Sequence, residues 1–191
     1  MFKSKSELTN MKGLILFANH FEEVEAILTI DMLRRASISI DAVSITNSLE
    51  LTTQQGLVVK ADKLYQDVNL DDYDFLIIPG GKAVFETHLE SSITKHCVEH
   101  FNKKNQLIAC ICAAPMILGK YGLLKNRDYV CFPSCENDSF EGRYIKDAKV
   151  VVVDNIITSK AAGTTFEFSY EIIKYLISEE KAKDILNKVY Y

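Results

Sequence analysis

Cys112 ends the apolar run Gln106-Leu107-Ile108-Ala109-Cys110-Ile111 and is followed at once by Ala113-Ala114-Pro115 and then by Met116-Ile117-Leu118. An apolar run of strand length that meets small residues and a proline, then continues as an apolar helical pattern, places Cys112 where a strand turns sharply into a helix. That is a nucleophile's position. It lies at the carboxyl end of a sheet over the positive end of a helix, a field that lowers a thiol's pKa and favours the thiolate. Ala113 and Ala114 permit the tight turn, and Pro115 suits the first helical turn, where its missing N–H has no partner to lose. The alternative for a free cysteine is burial as a small hydrophobe, which is how Cys110 reads.

The elements that must position this thiol alternate along the chain. Gly13 to Ala18 is a continuous apolar run, the pattern of a central strand. Glu22 to Ala36 is an amphipathic helix with Val24, Ile27, Leu28 and Ile30 to Leu33 as its apolar residues, and Ile38 to Ile45 is the strand it leads to. Further strands are expected at Gly56 to Lys60, Phe75 to Ile78, Leu107 to Ile111, Tyr129 to Phe132, Val150 to Val153 and Ile156 to Thr158, the last two joined by an Asp154-Asn155 turn. Helices are expected over Ser91 to Asn102 and Phe166 to Ile177, with a last one closing near Val189. This alternation predicts a three-layer α/β/α sandwich around a mostly parallel, flavodoxin-like sheet. Ligands of such sheets bind beyond the carboxyl ends of the strands. There the loops Asn19 to Glu25, Pro79 to Lys82 and Cys112 to Pro115 converge.

Composition limits the function classes. The chain of 191 residues is 48% hydrophobic with a formal net charge of −4 and no basic run, which argues against nucleic acid or an anionic membrane as partner. Residues 1–10 are polar and read as a flexible extension before a single domain at 11–191, with no signal-peptide core and no apolar stretch of membrane-spanning length. A cytoplasmic setting follows. Five cysteines without framework spacing read as reduced thiols, with Cys131 as a strand residue and Cys135 as a loop residue around Phe132-Pro133-Ser134. His96 and His100 stand at i and i+4, but Cys97 occupies the place of the glutamate that His-Glu-x-x-His requires, so a polar helix face is preferred to a metal site.

Five segments, in order, resemble the ThiJ/PfpI superfamily and its DJ-one-like branch, together with bacterial ThiJ-like stress proteins. They are Phe21-Glu22-Glu23-Val24-Glu25, Asp31-Met32-Leu33-Arg34-Arg35-Ala36, Ile78-Pro79-Gly80-Gly81, Ala109 to Pro115, and Gly163-Thr164-Thr165-Phe166-Glu167-Phe168. The resemblance spans about residues 12 to 189. It implies that Cys112 is the reactive cysteine and Glu25 the acid that hydrogen-bonds it. A carboxylate would repel a thiolate, so Glu25 should carry the proton. It further implies that the N–H groups of Gly81 and Ala113 form an oxyanion hole beside Gly80, and that Arg35 approaches the reactive centre from the second subunit of a homodimer. Read alone, Glu25 is an acid favoured in a first helical turn, Pro79-Gly80-Gly81 a turn, and Arg35 a cation near a helix C-terminus.

The sequence also departs from the family. Ala113 replaces the histidine that peptidase members carry after the cysteine, and Phe132 stands where another family histidine lies. Gln55 replaces a frequent arginine, and Ala161-Ala162-Gly163 replaces Gly-Pro-Gly. Cys-His peptide hydrolysis is therefore not expected. His20, in the loop before Glu25, is either a proton shuttle or a solvent-facing residue. The implied activity is cofactor-free and metal-free, of glyoxalase or deglycase type on a small carbonyl substrate. The competing reading is a redox sensor or chaperone whose cysteine oxidises to sulfinic acid.

Overall fold

The computed structural model describes residues 11–191; the expected extension at 1–10 lies outside them. The strands and helices are β1 Lys12–Phe17, α1 Thr29–Arg35, β2 Ser39–Ser44, β3 Glu50–Thr52, β4 Val58–Lys60, β5 Lys63–Leu64, β6 Phe75–Ile78, α2 Ala83–Glu86, α3 Ser92–Lys103, β7 Leu107–Ile111 and α4 Pro115–Lys120. They continue as β8 Asp128–Tyr129, β9 Arg143–Tyr144, β10 Val150–Val153, β11 Ile156–Ser159, α5 Thr165–Leu176 and α6 Glu179–Lys188.

Seven strands form one sheet in the order β10-β11-β7-β6-β1-β2-β5. All neighbours pair in parallel except β10 and β11, which form an antiparallel hairpin about Asp154 and Asn155. Helices cover both faces, giving the expected sandwich. On one face α5 packs against α1 and α6, while α3 lies over β6 and β7. The central strands are apolar throughout because both of their faces are covered: every residue of β6 and β7 is buried. The chain leaves β1 toward β2 on one side and later returns through β6 on the other. The reversal opens a crevice between β1 and β6, with β7 next in line.

Two of the expected strands differ from their sequence reading. The strand expected at Tyr129 to Phe132 is confined to β8, which pairs with β9 in a separate two-stranded sheet, so Cys131 is not a strand residue. The ladder stops because its donors are used elsewhere: Val130 N–H bonds Thr158 Oγ1 at 3.0 Å, and Phe132 N–H bonds the Cys112 carbonyl at 2.8 Å. The strand expected at Gly56 to Lys60 begins only at Val58 and pairs with β3, whereas Gly56 turns at φ +91°.

The helix expected from Glu22 opens with a π-helical turn, Val24–Leu28, before α1. Such turns are rare and concentrate at functional sites. His88, just before α3, is fully buried; its Nδ1 meets Thr94 Oγ1 at 2.9 Å, and burial pushes its pKa down to about 4.

Candidate active site

β7 delivers Cys112 to the crevice in a left-handed backbone conformation, φ +64°, that a non-glycine residue adopts at a cost on the order of 1 kcal/mol or more. The surroundings hold it there. Its N–H bonds the Ser159 carbonyl at 3.0 Å and its carbonyl accepts from Phe132 N–H at 2.8 Å, so β11 and the loop after β8 fix the turn from two sides. Behind it, Ser159 Oγ meets Thr164 Oγ1 at 2.7 Å, tying β11 to the start of α5.

Glu25 approaches from the π-helical turn. Its side chain is 1% exposed, and Oε2 accepts the Gly80 N–H at 2.8 Å. Burial, then the charge of Glu22, raises its pKa to about 7 from an ordinary 4.5, against the pull of hydrogen bonds from Gly80 and Cys112. The Ala162 N–H also draws it downward, although Oε1 lacks a hydrogen bond of normal geometry. A carboxyl in this state is protonated in a large share of molecules at neutral pH.

The thiol's electrostatics differ from the sequence expectation. Burial raises the Cys112 pKa, and so do the charge and hydrogen bond of Glu25, whereas hydrogen bonds from the Gly81 and Ala113 N–H groups lower it. The helix behind the thiol has only six residues, so its terminus adds a weak field against these stronger effects. Removing the Glu25 charge by protonation removes the repulsion and leaves the two N–H groups aimed at the sulfur. The two groups titrate as one unit.

Glycines make the approach possible. A Cβ on Gly80 would lie 2.6 Å from Cys112 Cβ and 2.7 Å from Glu25 Oε2. Gly81, at φ +91°, faces Phe21 in an isolated bridge, and a Cβ there would lie 2.5 Å from the Glu22 nitrogen and the His20 carbonyl oxygen. Gly80→Ala is therefore expected to lower stability by about 1–3 kcal/mol and to push the carboxyl and thiol apart. Urea unfolding with Cys112 alkylation rates checks both; a variant with wild-type values for each would contradict the contact.

The thiol opens into a cavity of about 460 Å³ whose lining includes Glu22, Gln54, Phe85, Phe132 and Cys135. Of the residues singled out in the sequence, Cys112, Glu25, Gly80, Gly81 and Ala113 come together, and Phe132 forms part of the wall. His20 points elsewhere, its Nδ1 on Glu86 Oε2 at 2.6 Å. Arg35 donates to Asp31 at 2.6 Å within its own helix and does not line the cavity. Gln55 is held through its N–H by the Glu23 carboxylate at 3.2 Å.

Glu22, Gln54, Phe85 and Cys135 were not anticipated. Glu22 accepts the Glu25 N–H at 2.7 Å across a local i to i+3 spacing, whereas Gln54 accepts the Lys82 N–H at 2.8 Å from 28 residues away, with no local pattern to reveal it. Cys97, Cys110, Cys131 and Cys135 are buried, whereas Cys112 is partly exposed. Cys112 is expected to label fastest with iodoacetamide at neutral pH. Faster labelling of Cys131 or Cys135 in a mass map would move the reactive thiol elsewhere.

Comparison with known proteins bears on the family and the fold. A sequence profile of the DJ-1/PfpI family matches residues 11–175. Protein DJ-1alpha of Drosophila melanogaster is 33% identical over 185 residues, covering 96% of this chain and 85% of that protein. Glutathione-independent glyoxalase DJR-1.2 of Caenorhabditis elegans is 32% identical, covering 86% of this chain and 88% of its own length. Among solved structures, oxidized DJ-1 of Toxoplasma gondii superposes with a TM-score of 0.86 at 31% identity, covering 95% of this chain and 98% of that one.

Proposed function

This chain belongs to the DJ-1/PfpI family, and from that premise we propose that it is a cofactor-free, cysteine-dependent protective protein acting on small reactive carbonyls, with a 2-oxoaldehyde such as methylglyoxal as the simplest substrate. The observation that carries the reading is the pairing of Cys112 with a buried carboxyl whose pKa is raised to about 7, beside the N–H groups of Gly81 and Ala113. A relative named as a glutathione-independent glyoxalase is similar over most of the chain.

In this mechanism the sulfur adds to the aldehyde carbon. The S–C bond forms as the carbonyl π pair moves to oxygen, which the two N–H groups stabilise before it takes the proton given up by the thiol. The hydrogen on that carbon then leaves as a proton, one returns to the neighbouring carbon, and the hydroxyl proton passes to the neighbouring oxygen, giving a thioester of the 2-hydroxy acid. Water hydrolyses the thioester, releasing lactate and the free thiol. Glu25 takes the thiol proton as the sulfur attacks, carries protons between the two carbons while the sulfur is bound, and returns one when the sulfur is released. With Ala113 after the cysteine there is no adjacent imidazole, so peptide hydrolysis is not part of the reading.

A redox role is the second reading, favoured by the same two N–H donors, which would also hold the oxygens of a sulfinate, and by the oxidized form known for the Toxoplasma relative. One experiment separates the two. Lactate formation from methylglyoxal is followed with untreated protein and with protein whose Cys112 is blocked by iodoacetamide, beside mass spectra after mild peroxide. Thiol-dependent lactate supports the enzyme. Oxidation that halts at the sulfinic acid with no lactate supports the sensor, and if neither result occurs both readings fail.

The proposal includes a homodimer in the cytoplasm. Val24 and Ile27, on the π-helical turn, are 47% and 43% exposed, an apolar pair that a second subunit would cover. Light scattering at several concentrations should give twice the chain mass; a strict monomer would also remove any role for Arg35 across an interface. Among the described residues no helix is long and apolar enough to cross a membrane.

A further inference from the structure

The cavity at Cys112 is far larger than a three-carbon oxoaldehyde requires, and its size falls in the range of pockets that enclose much bulkier ligands. Two of its walls are unusual for a water-facing cleft. Phe85, on α2, is 53% exposed and Phe132, on the loop after β8, is 46% exposed, and both line the space into which the Cys112 sulfur opens. Neither ring belongs to a stacked or edge-on aromatic pair among the described residues. Phe132 is also held in place relative to the sulfur, because its N–H bonds the Cys112 carbonyl at 2.8 Å and its own carbonyl accepts from Cys135 N–H at 3.0 Å. Apolar area left in water costs about 25 cal/mol per Å², so two such rings at one reactive thiol favour a ligand that covers them.

We propose that Phe85 and Phe132 make this a site for aryl-substituted carbonyl compounds, such as aryl 2-oxoaldehydes, with the ring between the two phenylalanines and the carbonyl carbon at Cys112. This rests on the proposed carbonyl chemistry only for turnover; the recognition of the aryl group is independent of it. Glu22 and Gln54 line the same cavity and supply polar groups for the carbonyl end of such a compound. Aromatic contacts of this kind contribute about 0.5–1.5 kcal/mol each, equivalent to roughly 2- to 13-fold in rate or affinity.

The test uses two haloketones that alkylate thiols, bromoacetone and phenacyl bromide. In each case the sulfur forms a bond to the methylene carbon and bromide leaves. The rate of Cys112 modification is read by mass mapping, and each rate is divided by that for glutathione to remove intrinsic reactivity. The corrected aryl-to-methyl ratio is expected to be about 10 or more in the wild-type protein and to fall several-fold in both Phe85→Ala and Phe132→Ala, with Phe132→Tyr retaining it. Both residues are exposed enough for their truncation to leave the fold intact. A wild-type ratio near one, or a ratio unmoved by both truncations, would overturn the proposal. Turnover of phenylglyoxal and methylglyoxal is measured in parallel. If the alkylation selectivity holds while neither oxoaldehyde is consumed, the carbonyl-processing reading fails and the aryl site stands.

Discussion

Cys112→Ser is expected to lower conversion of methylglyoxal to lactate by a factor on the order of 10³ or more. The alcohol is a far weaker acid than the thiol, and nothing beside it is a base strong enough to compensate. The neighbouring carboxyl has a pKa of about 7, and the position after the nucleophile is Ala113. The hydroxyl fits the space of the sulfur, and the backbone bonds from Cys112 N–H to Ser159 and from Phe132 N–H to Cys112 do not involve the side chain. Stability should therefore change by no more than about 1 kcal/mol. Steady-state lactate assays with unfolding curves of the same preparations make the comparison. Activity within tenfold of wild type in a folded Cys112→Ser protein would place the nucleophile elsewhere.

Glu25→Gln is expected to lower turnover by about 10²–10⁴ while leaving the architecture of the site in place. The amide oxygen can still accept the Gly80 N–H, and the amide nitrogen can still donate toward the sulfur, but no proton can be released. Glu25→Asp keeps the proton and loses reach, so the buried Gly80 N–H loses its partner at a cost of about 1–3 kcal/mol. A thiol titration separates the variants, since the glutamine cannot become charged as pH rises. An unchanged Cys112 titration in both would remove Glu25 from the thiol's surroundings.

The same substitution has a signature in stability. Glu25 has a folded pKa raised to about 7 from 4.5, so the fold retains a proton that the unfolded chain loses, and stability falls as pH rises from 4.5 through 7. His88 acts in the opposite sense. Its folded pKa is lowered to about 4 from 6.5, so the unfolded chain takes up a proton that the fold refuses, and stability falls as pH drops from 6.5 toward 4. Each effect amounts to roughly 3 kcal/mol at its limit, and between pH 4.5 and 6.5 they nearly cancel. Wild-type stability in urea should be nearly flat over that range, whereas Glu25→Gln should gain roughly 2–3 kcal/mol from pH 4.5 to 6.5. A flat profile for the variant would mean that His88 titrates as it does in water.

What could be read from the sequence follows the range of the interactions involved. β6 and β7 were legible because continuous apolar runs arise wherever both faces of a strand are covered, and α3 because Ser91 caps it, its hydroxyl accepting the Thr94 N–H at 3.2 Å. The turn at Cys112 was legible from Ala113, Ala114 and Pro115. The end of the Tyr129 strand was not, because it is decided by Thr158 and Cys112, residues distant in the chain that take the donors of Val130 and Phe132. Glu25 emerged from the family resemblance alone; locally it is one of three acids among four residues, and only the fold distinguishes the member facing Cys112 from Glu22 and Glu23. The raised pKa of the thiol is not legible for a related reason. A helix terminus can be seen in a sequence, whereas burial and a carboxylate arriving from another loop cannot.

The π-helical turn at Val24–Leu28 sets the angular phase between the acid and the helix that follows. Successive residues of an α-helix are rotated by about 100°, so a turn that is one residue wider shifts everything before it by about that angle relative to everything after. Glu25 can therefore face the thiol while Met32 and Leu33 remain fully buried in the core. Deleting one residue between Val24 and Leu28 would restore a regular pitch and lose that offset. Either the carboxyl or the pair Met32 and Leu33 would then point the wrong way, in a chain that still possessed every strand and helix.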